Sequence, residues 1–217
     1  GHNSAVPEKA VEEIKAQPGV TNEVYLYRNT FEDDHISCDW GTPYVVDNTN
    51  KELRMMPEHL NLGVYQTGTE RDYAALTADN HPLGNVFGFS ENFFDQLDII
   101  EGETDLSVLK DKLWNGNNVI LMGEYNDHGN FGGAEAAAYR GLSVGDTIQF
   151  YENGTPTEEF TIIAKAAATD GDVTVTGGGS NIAQIIEGPR IFMAENKFKE
   201  IYETPTLYGF LFDVEEQ

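Results

Sequence analysis

The chain of 217 residues has 13 basic and 37 acidic side chains, a formal net charge of −24 and a pI near 4.3. Its length suits one large domain or two small subdomains, and 40% hydrophobic and 11% aromatic residues exclude an intrinsically disordered chain. Such an acidic surface repels phosphate backbones and anionic lipid headgroups, which excludes nucleic acid as a partner and favours cations or a basic partner.

The sequence has one cysteine, Cys38, so no internal disulfide can form. No apolar run approaches the roughly 20 residues that a membrane-spanning helix needs, and no signal peptide is recognisable. Residues 1–4, Gly-His-Asn-Ser, are typical of the remnant of a cleaved tag. We therefore expect the chain to be an excised piece of a longer protein.

The first predicted unit is a helix followed by a strand. Residues 6–17 carry apolar side chains at helical spacing, and Pro18 and Gly19 end the helix. Residues 20–27 alternate in the manner of a half-buried strand. A polar stretch at 67–83 predicts an exposed loop. Further short strands are predicted at residues 44–46, 53–56, 62–66 and 86–89.

The central part alternates short helices with extended segments. Ser90 is expected to cap a helix at residues 91–97, whose buried face carries Phe93 and Phe94. A second helix is predicted at 104–113. Extended segments or strands are predicted at residues 99–102 and 119–122. A polar, glycine-rich insertion at residues 125–133 and a small helix at 134–140 follow.

Residues 141–165 predict two strands joined by a tight turn. Gly145 and Asp146 form a turn that leads into the first strand, and Asn153 and Gly154 tolerate the positive φ angles of a hairpin turn. The last predicted elements are a short strand at 171–179, a strand at 190–193, a helix at 195–202 and a strand at 207–214.

This organisation predicts an α+β fold of two lobes. Residues 1–90 and 189–217 form an α/β lobe, and residues 91–188 form a β-rich lobe inserted into it. An insertion of this kind brings the chain ends together. We therefore expect residues near 6 and 214 at the same end of the molecule.

One local cluster combines residue types that ligate metals. His35 and Cys38 lie close in sequence to Asp33, Asp34 and Asp39. Zinc needs three or four ligands in a defined geometry, and there is no second cysteine. We interpret the cluster as a solvated acidic loop.

Other acidic or glycine-rich stretches give no site either. Residues 101–105 and 170–172 resemble calcium loops but lack EF-hand spacing, and turn-forming aspartate explains them. Residues 177–179 lack the GK[ST] of a phosphate loop, and no GxSxG occurs. We predict no catalytic, cofactor-binding or metal-binding residue and no cofactor.

Most phenylalanines fall on amphipathic patterns and are predicted to lie in the core, namely Phe93, Phe94, Phe131, Phe150, Phe160, Phe192 and Phe198. Tyr125, Phe131 and Tyr139 lie near the glycine-rich insertion. If exposed, these three would form a partner or ligand surface.

The order of the segments resembles the extracytoplasmic domain of MacB/FtsX-like ABC transporter permeases. FSENFFDQLDIIEG leads into VILM, and GLSVGDTIQFYENGTPTEEFTIIAK follows, as in that family. The resemblance covers residues 6–24, 86–102, 119–125, 141–165 and 189–214. Two polar stretches, at residues 47–83 and 125–133, are longer than the corresponding segments of the family pattern. The closing helix that is usual in the family does not follow the last strand.

The resemblance implies a porter-like lobe with an inserted Sabre-like lobe, placed between two membrane helices of a permease. Such a domain passes ATP-driven motion to the outside and performs no chemistry. Its implied partners are the membrane helices of the same permease, a separate ATPase subunit or domain, and an extracellular partner protein or peptide. Its implied location is the extracytoplasmic face of the bacterial cell membrane, and the isolated domain is expected to be monomeric.

Two alternatives stay open on the sequence. The chain could be a secreted or surface binding module for a carbohydrate or a cation, with the acidic face as the site. It could also be a small extracellular hydrolase with a carboxylate pair that the sequence does not single out. The permease domain requires residues near 6 and 214 at the same end of the molecule, and this separates it from the binding module. A pocket of converging carboxylates at the opposite end favours the hydrolase.

Overall fold

The structure is a computed structural model that describes residues 5–30, 33, 35–39, 44–46, 53–55, 85–123, 142–168 and 190–215. The described helices are α1 (Glu8–Lys15), a 3-10 helix (Glu91–Gln96), α2 (Leu106–Asn115) and α3 (Glu195–Ile201). The described strands are β1 (Val20–Arg28), β2 (Ile36–Asp39), β3 (Tyr44–Val46), β4 (Leu53–Met55), β5 (Asn85–Phe89), β6 (Leu97–Gly102), β7 (Asn118–Gly123), β8 (Thr147–Glu152), β9 (Thr155–Ala168), β10 (Arg190–Ala194) and β11 (Thr206–Val214).

Nine of the described strands form one mixed sheet. Its order is β11-β1-β5-β10-β7-β9-β8-β2, and β6 pairs with the second half of β9. The pairs β5–β10 and β7–β9 are parallel, and the other pairs are antiparallel. Strands β3 and β4 pair separately. A mixed sheet with helices packed on it agrees with the predicted α+β class.

The sheet runs across the predicted lobe boundaries. Strand β7, from the predicted inserted lobe, pairs with β10, and β8, from the same lobe, pairs with β2. The described parts of 1–90 with 189–217 and of 91–188 are therefore joined by continuous backbone hydrogen bonding. The division into two lobes stays a prediction.

Apolar side chains cover both faces of the sheet. The 3-10 helix and α2 cover one face with Phe93, Phe94, Leu109 and Leu113. Helix α3 covers part of the other with Phe198 and Tyr202. The central strands β7 and β10 are buried on both faces, and this explains their continuous apolar runs VILM and IFMA.

The predicted hairpin is confirmed as β8 and β9. Its turn residues Asn153 and Gly154 have φ angles of 49° and 75°. Positive φ at both central positions is the signature of the turn that suits the twist of paired strands. Six of the seven phenylalanines predicted in the core are buried, and Phe131 lies outside the described residues.

The predicted cap at Ser90 is wrong. No side-chain hydrogen bond caps the 3-10 helix, because the Ser90 hydroxyl instead accepts from the backbone N–H of Tyr25 at 2.8 Å. This hydrogen bond connects the start of the 3-10 helix to β1. A side-chain cap is found instead at the start of α2, where the Asp105 carboxylate accepts from the N–H groups of Ser107 and Val108 at 2.9 and 3.2 Å.

Several predicted elements lie outside the described residues. They are the strands at 62–66 and 171–179, the loop at 67–83, the insertion at 125–133 and the helix at 134–140. Tyr125 and Tyr139 also lie outside them.

Candidate functional site

The first and last described strands lie side by side at one edge of the sheet. Strand β1 pairs with β11 from Val20 opposite Val214 to Arg28 opposite Thr206. At one end of this pair, the N–H of Glu215 donates to the carbonyl of Gly19 at 2.9 Å. The α1–β1 unit and β11 therefore form one structural element.

The expected common end for residues 6 and 214 is not found. The N–H of Val6 donates to the carbonyl of Leu207 at 2.8 Å, so Val6 lies at the beginning of β11. Val214 lies at the end of that strand, about 23 Å away at roughly 3.3 Å per residue. The segment from Val6 to Gly19, which contains α1, therefore runs from the beginning of β11 to its end before the chain enters β1.

The described members of the cluster around Cys38 lie in different environments. Within the described residues, no group of three or more His, Cys, Asp or Glu side chains is placed to hold a metal ion. His35 is exposed, whereas Cys38 in β2 is fully buried opposite Phe150. Asp33 is buried and accepts from the N–H of Thr30 at 2.7 Å. The predicted solvated loop is thus wrong at residues 36–39, which form a strand, while Asp34 lies outside the described residues.

Burial makes the Cys38 thiol unreactive. It raises the pKa of this thiol far above its ordinary value, and Asp39 raises it further. Since the thiolate is the nucleophile, a neutral buried thiol does not act as one at neutral pH. Cys38 is therefore a core residue.

The carboxylates of residues 101–105 serve the start of α2. Asp105 caps the helix, and Glu103 lies 2.8 Å from the ammonium group of Lys112. The hydrogen bond from Lys112, together with backbone N–H donors, lowers the pKa of Glu103. These groups therefore stabilise the N-terminal end of α2, and no group of three or more His, Cys, Asp or Glu side chains among the described residues is placed to hold a metal ion.

The turn at Gly145 and Asp146 supports the hairpin. Gly145 has a φ of 99°, and its N–H donates to the carbonyl of Ile162 at 2.8 Å. The Asp146 carboxylate accepts from the N–H of Ser143 at 2.8 Å. Asp146 thus has a structural role, as the sequence indicated.

A groove of about 580 Å³ lies between the 3-10 helix and α2. Lys110 lies in it, 2.6 Å from the carboxylate of Asp95 and 3.9 Å from that of Glu91. Trp114 lines the groove and packs edge-on against Phe94, with ring centroids 5.5 Å apart. An aromatic ring beside carboxylates and an ammonium group offers both an apolar surface and hydrogen-bonding groups to a polar ligand.

The sequence did not single out Arg28, which lies in the core. It is 6% exposed, and its guanidinium carbon lies 5.3 Å from the ring centroid of Phe87 and 5.9 Å from that of Tyr208. Cation–π contacts of this kind stabilise a desolvated charge. Arg28 thereby links β5 and β11 to the end of β1, and only the tertiary pairing reveals this.

The sequence and the structure can be compared with those of known proteins. No protein-family model matches the sequence, and no curated protein matches it. Solved structures similar to the chain include two transporter domains. The extracellular domain of the noncanonic ABC-type transporter YknZ from Gram-positive bacteria is 12% identical, with a TM-score of 0.43, over 98% of this chain and 74% of that one.

The periplasmic region of MacB from Actinobacillus actinomycetemcomitans is 14% identical, with a TM-score of 0.36, over 96% of this chain and 81% of that one. Both are domains of the kind that the sequence resemblance indicated. Among the described helices, none has the length and apolar composition needed to cross a bilayer.

Proposed function

We propose that this chain is a non-catalytic extracytoplasmic domain of a MacB/FtsX-like ABC transporter permease. It would couple ATP-driven motion of membrane helices to export or signalling outside the cell. The observation that carries the proposal is the pairing of β1 with β11, the first and last described strands. A domain placed between two membrane helices needs its first and last elements joined, so that displacement of one moves the other.

The positions of Val6 and Val214 constrain how the two chain ends could reach one membrane. They lie at opposite ends of β11, so one chain end must return along the sheet for both to reach the same membrane.

The described sheet suits rigid-body motion. Nine strands share one hydrogen-bonded sheet with buried side chains on both faces, and packed cores of this kind shift as units. The membrane helices of the same permease would move this body, and a separate ATPase subunit or domain would supply the energy. An extracellular partner protein or peptide would receive the motion.

The parent gene gives the first test. We expect flanking membrane segments and an ATPase that purifies from membranes together with the full-length protein. A parent protein with a signal peptide and no membrane helix would rule out the permease function and leave a secreted binding module.

Spin labels give the mechanistic test in the full-length protein with its ATPase. A pair at Ile100 and Val214, which are 61% and 63% exposed, should keep its separation when ATP is added. A pair joining Ile100 to a membrane helix should change its separation. An ATP-hydrolysis-deficient ATPase is the control, and equal changes in both pairs would contradict rigid-body coupling.

The division into lobes 1–90 with 189–217 and 91–188 belongs to the same proposal. Native-state hydrogen exchange tests it, because separate lobes open as separate cooperative units. If β7 and β10 exchange with one free energy of opening, the two parts form a single unit and the division is wrong.

The groove beside Trp114 favours a second candidate function, a carbohydrate-binding module. Sugar rings pack on indole faces, and neighbouring carboxylates and amides accept and donate hydrogen bonds to their hydroxyls. Calorimetry with soluble oligosaccharides tests this, with Trp114→Ala expected to abolish binding and Val108→Ala, on the exposed surface of α2, expected to leave it unchanged. Absence of heat with every oligosaccharide would remove this candidate.

A further inference from the structure

Within the described residues, the outer side of β11 is an open sheet edge. Among the described strands, β11 is the last in the sheet and pairs with β1 alone. At the start of β11, the N–H of Val6 donates to the carbonyl of Leu207 on this outer side. From Gly209 to Val214, no described segment pairs with that side.

The pairing with β1 determines which backbone groups face outward. Val20 lies opposite Val214, and the neighbouring N–H of Glu215 donates to the carbonyl of Gly19. Val20 and Val214 are therefore a non-hydrogen-bonded pair, and the N–H and C=O of Val214 point away from β1. By alternation along the strand, the same groups of Phe212 and Phe210 also point outward. Three residues, each separated by one position, thus present an outward-facing N–H and C=O along the open edge.

The side chains along this edge divide into an apolar side and an acidic side. Phe212 and Val214 are 38% and 63% exposed, and the ring of Phe210 lies 5.7 Å from that of Phe212. On the other side, Asp213 and Glu215 are exposed. An added strand would therefore meet apolar groups on one side and, beyond Leu211, the carboxylates of Asp213 and Glu215 on the other.

We propose that the β11 edge from Gly209 to Val214 binds an extended segment of another protein in which apolar and basic residues alternate. The apolar residues would face Phe210, Phe212 and Val214, and the basic residues would face Asp213 and Glu215. Strand addition supplies main-chain hydrogen bonds, and the alternating side chains supply specificity. This inference goes beyond the transporter proposal and does not depend on it.

The net charge of the chain favours a basic segment over a second copy of the chain as the partner of the β11 edge. Each copy carries a net charge of −24, so two copies repel each other, whereas a basic strand is attracted. Acidic residues on an exposed edge are a known means of preventing self-pairing. The same carboxylates that protect the edge from another copy therefore favour a basic partner strand.

The test uses a short capped peptide of alternating lysine and valine. We expect it to bind with a dissociation constant in the micromolar range, on the order of 10 µM at low salt, and to slow hydrogen exchange at the amides of Phe210, Phe212 and Val214 at least tenfold. In the proposed register, the valine N–H groups donate to β11 and the lysine N–H groups point away. N-methylation of the valines should therefore weaken binding at least tenfold, and N-methylation of the lysines should not.

Protein variants complete the test. Val214→Pro removes an outward N–H and should weaken binding several-fold, with its melting temperature showing that the chain still folds. Asp213→Asn should weaken binding about threefold, whereas Asp98→Asn, with the same charge change on exposed β6, should have no effect.

Three outcomes would overturn the proposal. The first is equal binding of both N-methylated peptides, which shows charge attraction without strand addition. The second is peptide binding that leaves the three amides unprotected. The third is a concentration-dependent dimer in sedimentation that Val214→Pro dissolves, because a second copy then occupies the edge.

Discussion

Gly88 in β5 lies where α3 packs against the sheet. A Cβ atom placed on it would lie 2.5 Å from the Cβ and 2.6 Å from the Cγ of Phe198, which is fully buried. Carbon atoms normally pack about 3.5–4.0 Å apart, so Gly88→Ala must move α3 outward by roughly 1 Å. Overpacking a core costs about 1–3 kcal/mol. Because the clashing atoms adjoin the helix backbone and cannot rotate away, we expect a loss of about 3 kcal/mol.

Urea unfolding followed by circular dichroism measures this loss. For a chain of this size it corresponds to a decrease of about 6–12 °C in melting temperature. Gly209→Ala is the matched control, since its nearest atom is the flexible Cδ1 of Leu26 at 2.9 Å, which can rotate away. We expect the control to lose at most about 1 kcal/mol. Equal losses in the two variants would refute the role assigned to the β5–α3 contact.

Three further predictions concern single side chains. Burial raises the pKa of Cys38 above its ordinary value of 9.0, so the unfolded chain releases this proton above pH 9 while the folded chain keeps it. Between pH 8 and pH 10, the free energy of unfolding of the unsubstituted chain should therefore fall by about 1.4 kcal/mol more than that of Cys38→Ala. Identical pH profiles for the two proteins would disprove this. Asp105→Ala removes the α2 cap and should lower the free energy of unfolding, measured in urea, by about 1 kcal/mol. The control Asp98→Ala, at an exposed position, should lower it by less than about 0.5 kcal/mol. An equal loss in both variants would argue against the cap. Lys112→Met should raise the pKa of Glu103 toward its ordinary value of 4.5 in an NMR titration, and an unchanged pKa would show that the ion pair does not form in solution.

Local patterns in the sequence were enough to predict most described elements. Alternation within residues 148–162 and the Asn153-Gly154 turn predicted the β8–β9 hairpin, because strand period and positive φ depend on neighbouring residues alone. The same holds for α2, whose leucines at spacings of three and four lie on the buried side.

Features that depend on distant pairing could not be predicted. Strand β2 was missed because its four residues follow a polar stretch, and Cys38 is buried only through its pairing with β8. Ser90 has the residue type of a cap, but the approach of β1 gives its hydroxyl a different donor. The opposite positions of Val6 and Val214 likewise follow from where α1 packs, which the local pattern does not specify.

The pairing of β1 with β11 also determines when the sheet can be completed. Val20 contacts Val214, so β1 obtains its outer neighbour only after nearly the whole chain is available. The parallel pair β5–β10 likewise joins segments about a hundred residues apart in sequence. Because loop closure must precede such contacts, we expect slow folding. During synthesis or export, β1 is an unprotected edge until residues 206–214 emerge, so this interval is the one in which a chaperone would be needed.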